Sequence, residues 1–135
     1  MNKNIKHINK VIWLFSLIIL FINCRQPVVP TEEDLAGYGW TLYETGEYKE
    51  AREWFYDAVS KDSSYADGFN GIGWCFGKLR QADSAAAYFH ISQTKEFDPY
   101  DTPDLDLDLY AGLTFSYSGM HIDSLVRTYA TYVLV

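Results

Sequence analysis

The chain has 135 residues, with Lys+Arg 11 against Asp+Glu 18 and a formal net charge of -7. Apolar residues make up 48% and charged residues 21%, which excludes a disordered chain, and the acidic balance argues against a nucleic-acid partner, which needs a basic face. Two cysteines are too few for a small disulfide-stapled scaffold. Aromatic residues, by contrast, reach 17%, with 11 Tyr, 8 Phe and 4 Trp.

The first segment reads as an export address. Lys3, Lys6 and Lys10 precede the apolar run Val11 to Ile22, the layout of a secretory signal peptide. The run is shorter than the roughly 20 residues that a membrane-spanning helix requires. Leu20-Phe21-Ile22-Asn23-Cys24 resembles the lipobox of bacterial lipoproteins, with Phe21 and Asn23 in place of the usual Leu and small residue. That resemblance implies a signal peptide over 1–23, lipid on the Cys24 sulfur and its new amino terminus, and a short tether over 24–31 containing Pro27 and Pro30. Residues 1–23 carry three lysines and no acid, so the remainder is more acidic still and attachment would rest on acyl chains alone.

The rest repeats. A shift of 34 superposes Gly37 on Gly71, Gly39 on Gly73, Trp40 on Trp74, Ala51 on Ala85 and Phe55 on Phe89, with Leu42 meeting Phe76. A third, weaker copy is placed by Gly112, which lies 39 beyond Gly73, and by Gly119, seven beyond Gly112 as Gly46 is beyond Gly39. Apolar spacings of three and four predict helices over 32–45, 48–61, 66–79, 82–95 and 104–118, with a last one from 121 onward. Gly46 is expected as a left-handed C-cap, and Asp62-Ser63-Ser64 is expected to supply N-cap side chains for the third helix. The expected fold is all-α, a solenoid of antiparallel helix pairs with units near 32–65, 66–97 and 104–135. The final segment Tyr129 to Val135 is apolar and β-branched, so either a longer array or another molecule is expected against it.

This pattern resembles the tetratricopeptide repeat. Gly39, Gly46, Tyr48, Ala51, Phe55 and Ala58 occupy the motif's places in the first unit. Gly73, Ala82, Ala85, Phe89 and Ser92 do so in the second, and Ser124, Thr128 and Thr131 stand in for small, large and small residues in the third. The resemblance implies a concave face lined by first helices, and a peptide or protein partner bound there. Carried over, the partner-binding residues are Trp40, Tyr43, Asn70, Trp74, Lys78, Tyr110 and Tyr117. Trp40 and Trp74 lie one repeat apart and should be partly exposed on one surface. Asn70 offers both donor and acceptor, and Lys78 the positive charge beside which an acidic group could dock.

Chemistry is sparse. Cys75 aligns with Thr41 and Thr114 and reads as a buried inert thiol, while His90 and His121 lack a second ligand at helical spacing. Asp104, Asp106 and Asp108 have the one-three-five spacing of a calcium loop, but Leu109 and Phe115 stand where Gly and Glu belong. They read instead as acids at a helix N-terminus. No catalytic grouping, metal site or cofactor is expected. The expected function is a lipid-anchored interaction or scaffold module of the bacterial envelope, placed as an outer-membrane lipoprotein facing the periplasm. The alternatives are a secreted or surface location, and the non-catalytic front of a longer envelope enzyme or secretion component.

Overall fold

The computed structural model describes residues 28–97 and 104–134. The signal segment and Cys24 lie outside the described residues. Six helices follow one another among these residues, with no strand: α1 Glu32–Thr45, α2 Tyr48–Lys61, α3 Ala66–Lys78, α4 Ala82–Gln93, α5 Leu105–Gly119 and α6 Asp123–Val133. They pack as three helix pairs, α1 with α2, α3 with α4 and α5 with α6, and each pair packs on the next. The fold is the expected all-α helical repeat.

The repeat is most visible at the turn inside each pair. The amide of Glu47 donates to the Leu42 carbonyl at 2.9 Å, that of Gln81 to Phe76 at 3.0 Å, and that of Ile122 to Tyr117 at 3.0 Å. The preceding residue closes a second bond in each case, Gly46 to Tyr43, Arg80 to Gly77 and His121 to Ser118, each at 3.1 Å. This double closure satisfies the last carbonyls of the helix and needs a left-handed residue at the corner. Gly46 takes φ 89, while Arg80 and His121 take φ 60 and φ 59. Glycine holds that position only once, so the bonds hold two bulkier residues in a conformation that strains them.

These corners correct the register of the third unit. His121 lies 41 beyond Arg80, so the corner is at His121 and not at Gly119. The counterpart of Phe55 and Phe89 is therefore Ala130, not Thr128, and that of buried Cys75 is buried Ser116, not Thr114. The seven extra residues fall between α4 and α5. The expected N-cap at Asp62 to Ser64 is also corrected. Asp62 accepts from the amide and hydroxyl of Ser64 at 2.8 and 2.6 Å, and α3 begins after Tyr65 with no side-chain cap.

Packing explains why the glycines repeat. The fully buried Phe55 ring lies against Gly39 of its own pair and Gly71 of the next; Cβ atoms there would sit 3.0 and 2.4 Å from the ring. Phe89 repeats this with Gly73 and Gly112, where the distances would be 2.7 and 2.4 Å. Each phenylalanine thus locks a second helix into two successive first helices, and only a helix without side chains at that spot can approach so closely. At α6 the lock stops: no residue of that helix is buried, and an apolar hollow of about 420 Å3 opens beside Ala130 and Phe115.

A paired substitution tests the lock. Gly71→Ala should overpack Phe55 and cost about 1–3 kcal/mol. Gly37→Ala meets nothing within 4 Å and should instead gain about 0.5–1 kcal/mol from helix propensity. Urea unfolding of both variants checks the opposite signs.

Candidate functional site

Helix α1 packs on α3 and α3 on α5 backbone to backbone, whereas the second helices stand farther apart and meet through side-chain tips, as between Tyr56 and Tyr88. The row is therefore pinched on the side of the first helices, which form its inner face. Trp40 and Trp74 occupy equivalent half-buried places on that face. Trp40 meets Phe55 edge-on at 4.9 Å between ring centres, and Trp74 meets Phe89 in the same way at 5.5 Å.

Each indole also reaches the next first helix. Trp40 Nε1 donates to Asp67 Oδ2 at 2.8 Å, and Trp74 Nε1 donates to Asp108 Oδ2 at 3.2 Å. Asp108 lies 41 beyond Asp67, the same interval as the corners. Asn70 joins the two acids: its Nδ2 donates to Asp67 Oδ1 at 3.3 Å and to Asp108 Oδ2 at 3.0 Å. Asn70 is 1% exposed, and its Oδ1 is buried with no hydrogen-bond partner. Burial pushes the Asp67 carboxyl above its usual range, the Trp40 and Asn70 bonds pull it back, and the Asp108 charge pushes it up again. Among the described residues the ion pair is Arg52–Glu53, so no cation answers either carboxylate there.

The remaining expected residues divide. Tyr43 joins this face, edge-on to Trp40 at 5.5 Å, and burial, with Cys75, Tyr48 and Asp108 nearby, pushes its hydroxyl up to about 12. Lys78 is exposed, with its ammonium 5.8 Å from the centre of the Tyr43 ring. Tyr110 and Tyr117 do not join them. Both stack on Tyr129 of α6, at 6.2 and 5.5 Å, and Tyr117 shares a 2.7 Å hydrogen bond with His90. The two-residue register error put them on the inner face; the counterpart of Trp40 and Trp74 is Phe115, 53% exposed and 6.4 Å from Trp74. Asp67 escaped the sequence reading, and Asp108 entered it only as an acid at a helix N-terminus, although acids at the starts of successive first helices were the available signal. Cys75 is buried as expected, and burial pushes its thiol up to about 12, away from reactivity. Among the described residues no group of His, Cys, Asp and Glu could hold a metal ion.

A scan against models of protein families finds no match, and a search of curated proteins finds none either.

Two consequences are measurable. Trp74→Ala removes a ring packed on Phe89 as well as a donor to Asp108, so it should destabilise by about 2 kcal/mol or more, contrary to a free binding side chain. Asp67→Asn keeps an acceptor for Trp40, gives up the long 3.3 Å bond from Asn70 and removes the buried charge. The folded-state pKa of Asp67 lies above the ordinary 3.8, so its penalty is absent below 3.8 and complete above the folded value. The variant should therefore gain stability over the parent as pH rises through the carboxylate range and keep that gain at neutral pH. Chemical unfolding across that range checks the slope; a difference independent of pH would contradict it.

Proposed function

We propose that the chain is a polypeptide-binding module of tetratricopeptide type, held at the bacterial envelope by lipid on Cys24. The observation that carries the binding half is the inner face: half-buried Trp40 and Trp74 at equivalent places on adjacent first helices, with Tyr43 beside them. Large aromatics that keep part of their surface in water concentrate binding energy when a partner covers them. A groove lined by rigid helices loses little conformational freedom on binding, which favours an extended peptide or a partner helix. Binding rather than catalysis fits a face whose polar groups are two indoles, an amide, two carboxylates, a tyrosine hydroxyl and a lysine. The anchoring half is supported by the basic start, the apolar run and the cysteine that follows it.

Anchoring is tested by detergent phase partition of the full chain. The parent should enter the detergent phase, and Cys24→Ala should move to the aqueous phase or remain uncut. Equal partition of both would remove the lipid. Binding is tested with photo-crosslinkers in the producing bacterium. Probes at Glu44 and Lys78, exposed on first helices, should give discrete adducts. Probes at Asp57 and Ala87, exposed on second helices, should not. Adducts that do not distinguish the two sets would remove the groove.

A further inference from the structure

Charge is distributed unevenly over the repeat. The three first helices carry seven carboxylates against one lysine, whereas the second helices carry five against four basic residues. The first helices are thus the acidic ones, and their one lysine lies over Tyr43. An acidic group docking beside Lys78 would also meet Asp108, which accepts from Trp74 one turn away, while Asp67 stands at the far end of α3. The sign of the groove is set by the aspartates.

The centre of that face is short of donors. Asp67 and Asp108 share the Nδ2 of Asn70, and the Oδ1 of the same amide is buried without a partner. Covalent geometry keeps Oδ1 about 2.3 Å from Nδ2, so the orphaned acceptor lies beside the two carboxylates. The assignment of the amide is fixed by its surroundings, since the nitrogen is the atom that two acids demand. Two carboxylates and an unanswered carbonyl oxygen form an acceptor cluster, and its natural complement is a group that only donates. Ammonium offers three N–H donors and guanidinium five. The Trp40 bond needs no charge on Asp67, because an amide oxygen would take it equally well; only the longer 3.3 Å bond from Asn70 uses the second carboxylate oxygen. The charge is an expense to the fold that a cationic partner would offset.

We propose that the inner face recognises a positively charged side chain of a partner polypeptide, a lysine or arginine that docks on Asp67 and Asp108 between Trp40 and Trp74. The inference rests on the reading of this face as a polypeptide-binding surface and names the chemistry of what binds. The aromatic rings flank the carboxylates, so the aliphatic stem of a long basic residue lies against indole while its head meets the acids.

The test uses the full chain and fluorescein-labelled, end-blocked octapeptides that alternate alanine with lysine, arginine or glutamate. The lysine and arginine peptides should bind and the glutamate peptide should not. Asp67→Asn and Asp108→Asn should each weaken binding at least tenfold, while Asp83→Asn on α4 leaves it unchanged. Asp67→Asn should do so while unfolding no more easily than the parent, a split that a merely structural role would not produce. Equal binding of the glutamate peptide, equal weakening by Asp83→Asn, or no binding by any of the peptides overturns the proposal. Displacement of the peptide by millimolar calcium would assign the carboxylates to a metal and overturn it too. The parent alone supplies a second measurement: the indole N–H resonances of Trp40 and Trp74 and the side-chain amide of Asn70 should shift with the lysine peptide, and unmoved signals contradict it. A selection from random peptides separates the groove from its preference for a cation. Selected peptides that compete for the inner face but lack basic residues overturn the cation and leave the groove; a selection that yields none overturns both.

Discussion

Phe55 and Phe89 are the rings about which the solenoid is assembled. Each leaves a second helix, crosses the first helix of its own pair at a glycine, and enters the first helix of the next pair at another. The same insertion brings Trp40 against Phe55 and Trp74 against Phe89, and so fixes how far each indole projects toward the following helix. The Trp40–Asp67 and Trp74–Asp108 hydrogen bonds are therefore consequences of core packing. A groove built in this way needs no loop to position it, and its polar atoms are held by the best-packed part of the molecule.

Much of this was legible from the residues. Glycine, alanine and phenylalanine at fixed intervals located the first four helices, because close helix crossing demands small residues beside large ones. The third pair was legible in kind but not in register. Gly112 and Gly119 reproduce the spacing of Gly39 and Gly46 by coincidence, while the true corner is a histidine in a conformation that glycine usually takes. The bonds from His121 and Ile122 back to Ser118 and Tyr117 impose that conformation, and they leave no trace in residue type. The error carried Tyr110 and Tyr117 to the wrong face and hid Phe115. The aspartates were hidden for another reason: acids at helix starts are explained by the helix dipole alone, and their long-range indole partners follow only once the helices are stacked.

The two faces of the row differ in what they ask of a neighbour. Second helices balance their charges and keep tyrosines in mutual contact, as in the 3.0 Å bond between the Tyr56 and Tyr88 hydroxyls. First helices gather carboxylates around half-buried indoles. Such an arrangement favours fast encounter with a basic partner and repels an acidic one before contact is made.

Helix α3 holds Gly68, Gly71, Gly73 and Gly77 within its 13 residues. Each glycine lowers helix propensity by about 1 kcal/mol relative to alanine, so this segment has little reason to be helical by itself. Its order is borrowed from the rings on either side, Phe55 from one pair and Phe89 from its own. Repeat arrays ordinarily tolerate the gain or loss of a unit, because each unit carries a share of its own stability. Here the central unit behaves as a keystone. Taking it out would leave the Phe55 ring without Gly71 and Gly112 without the Phe89 ring.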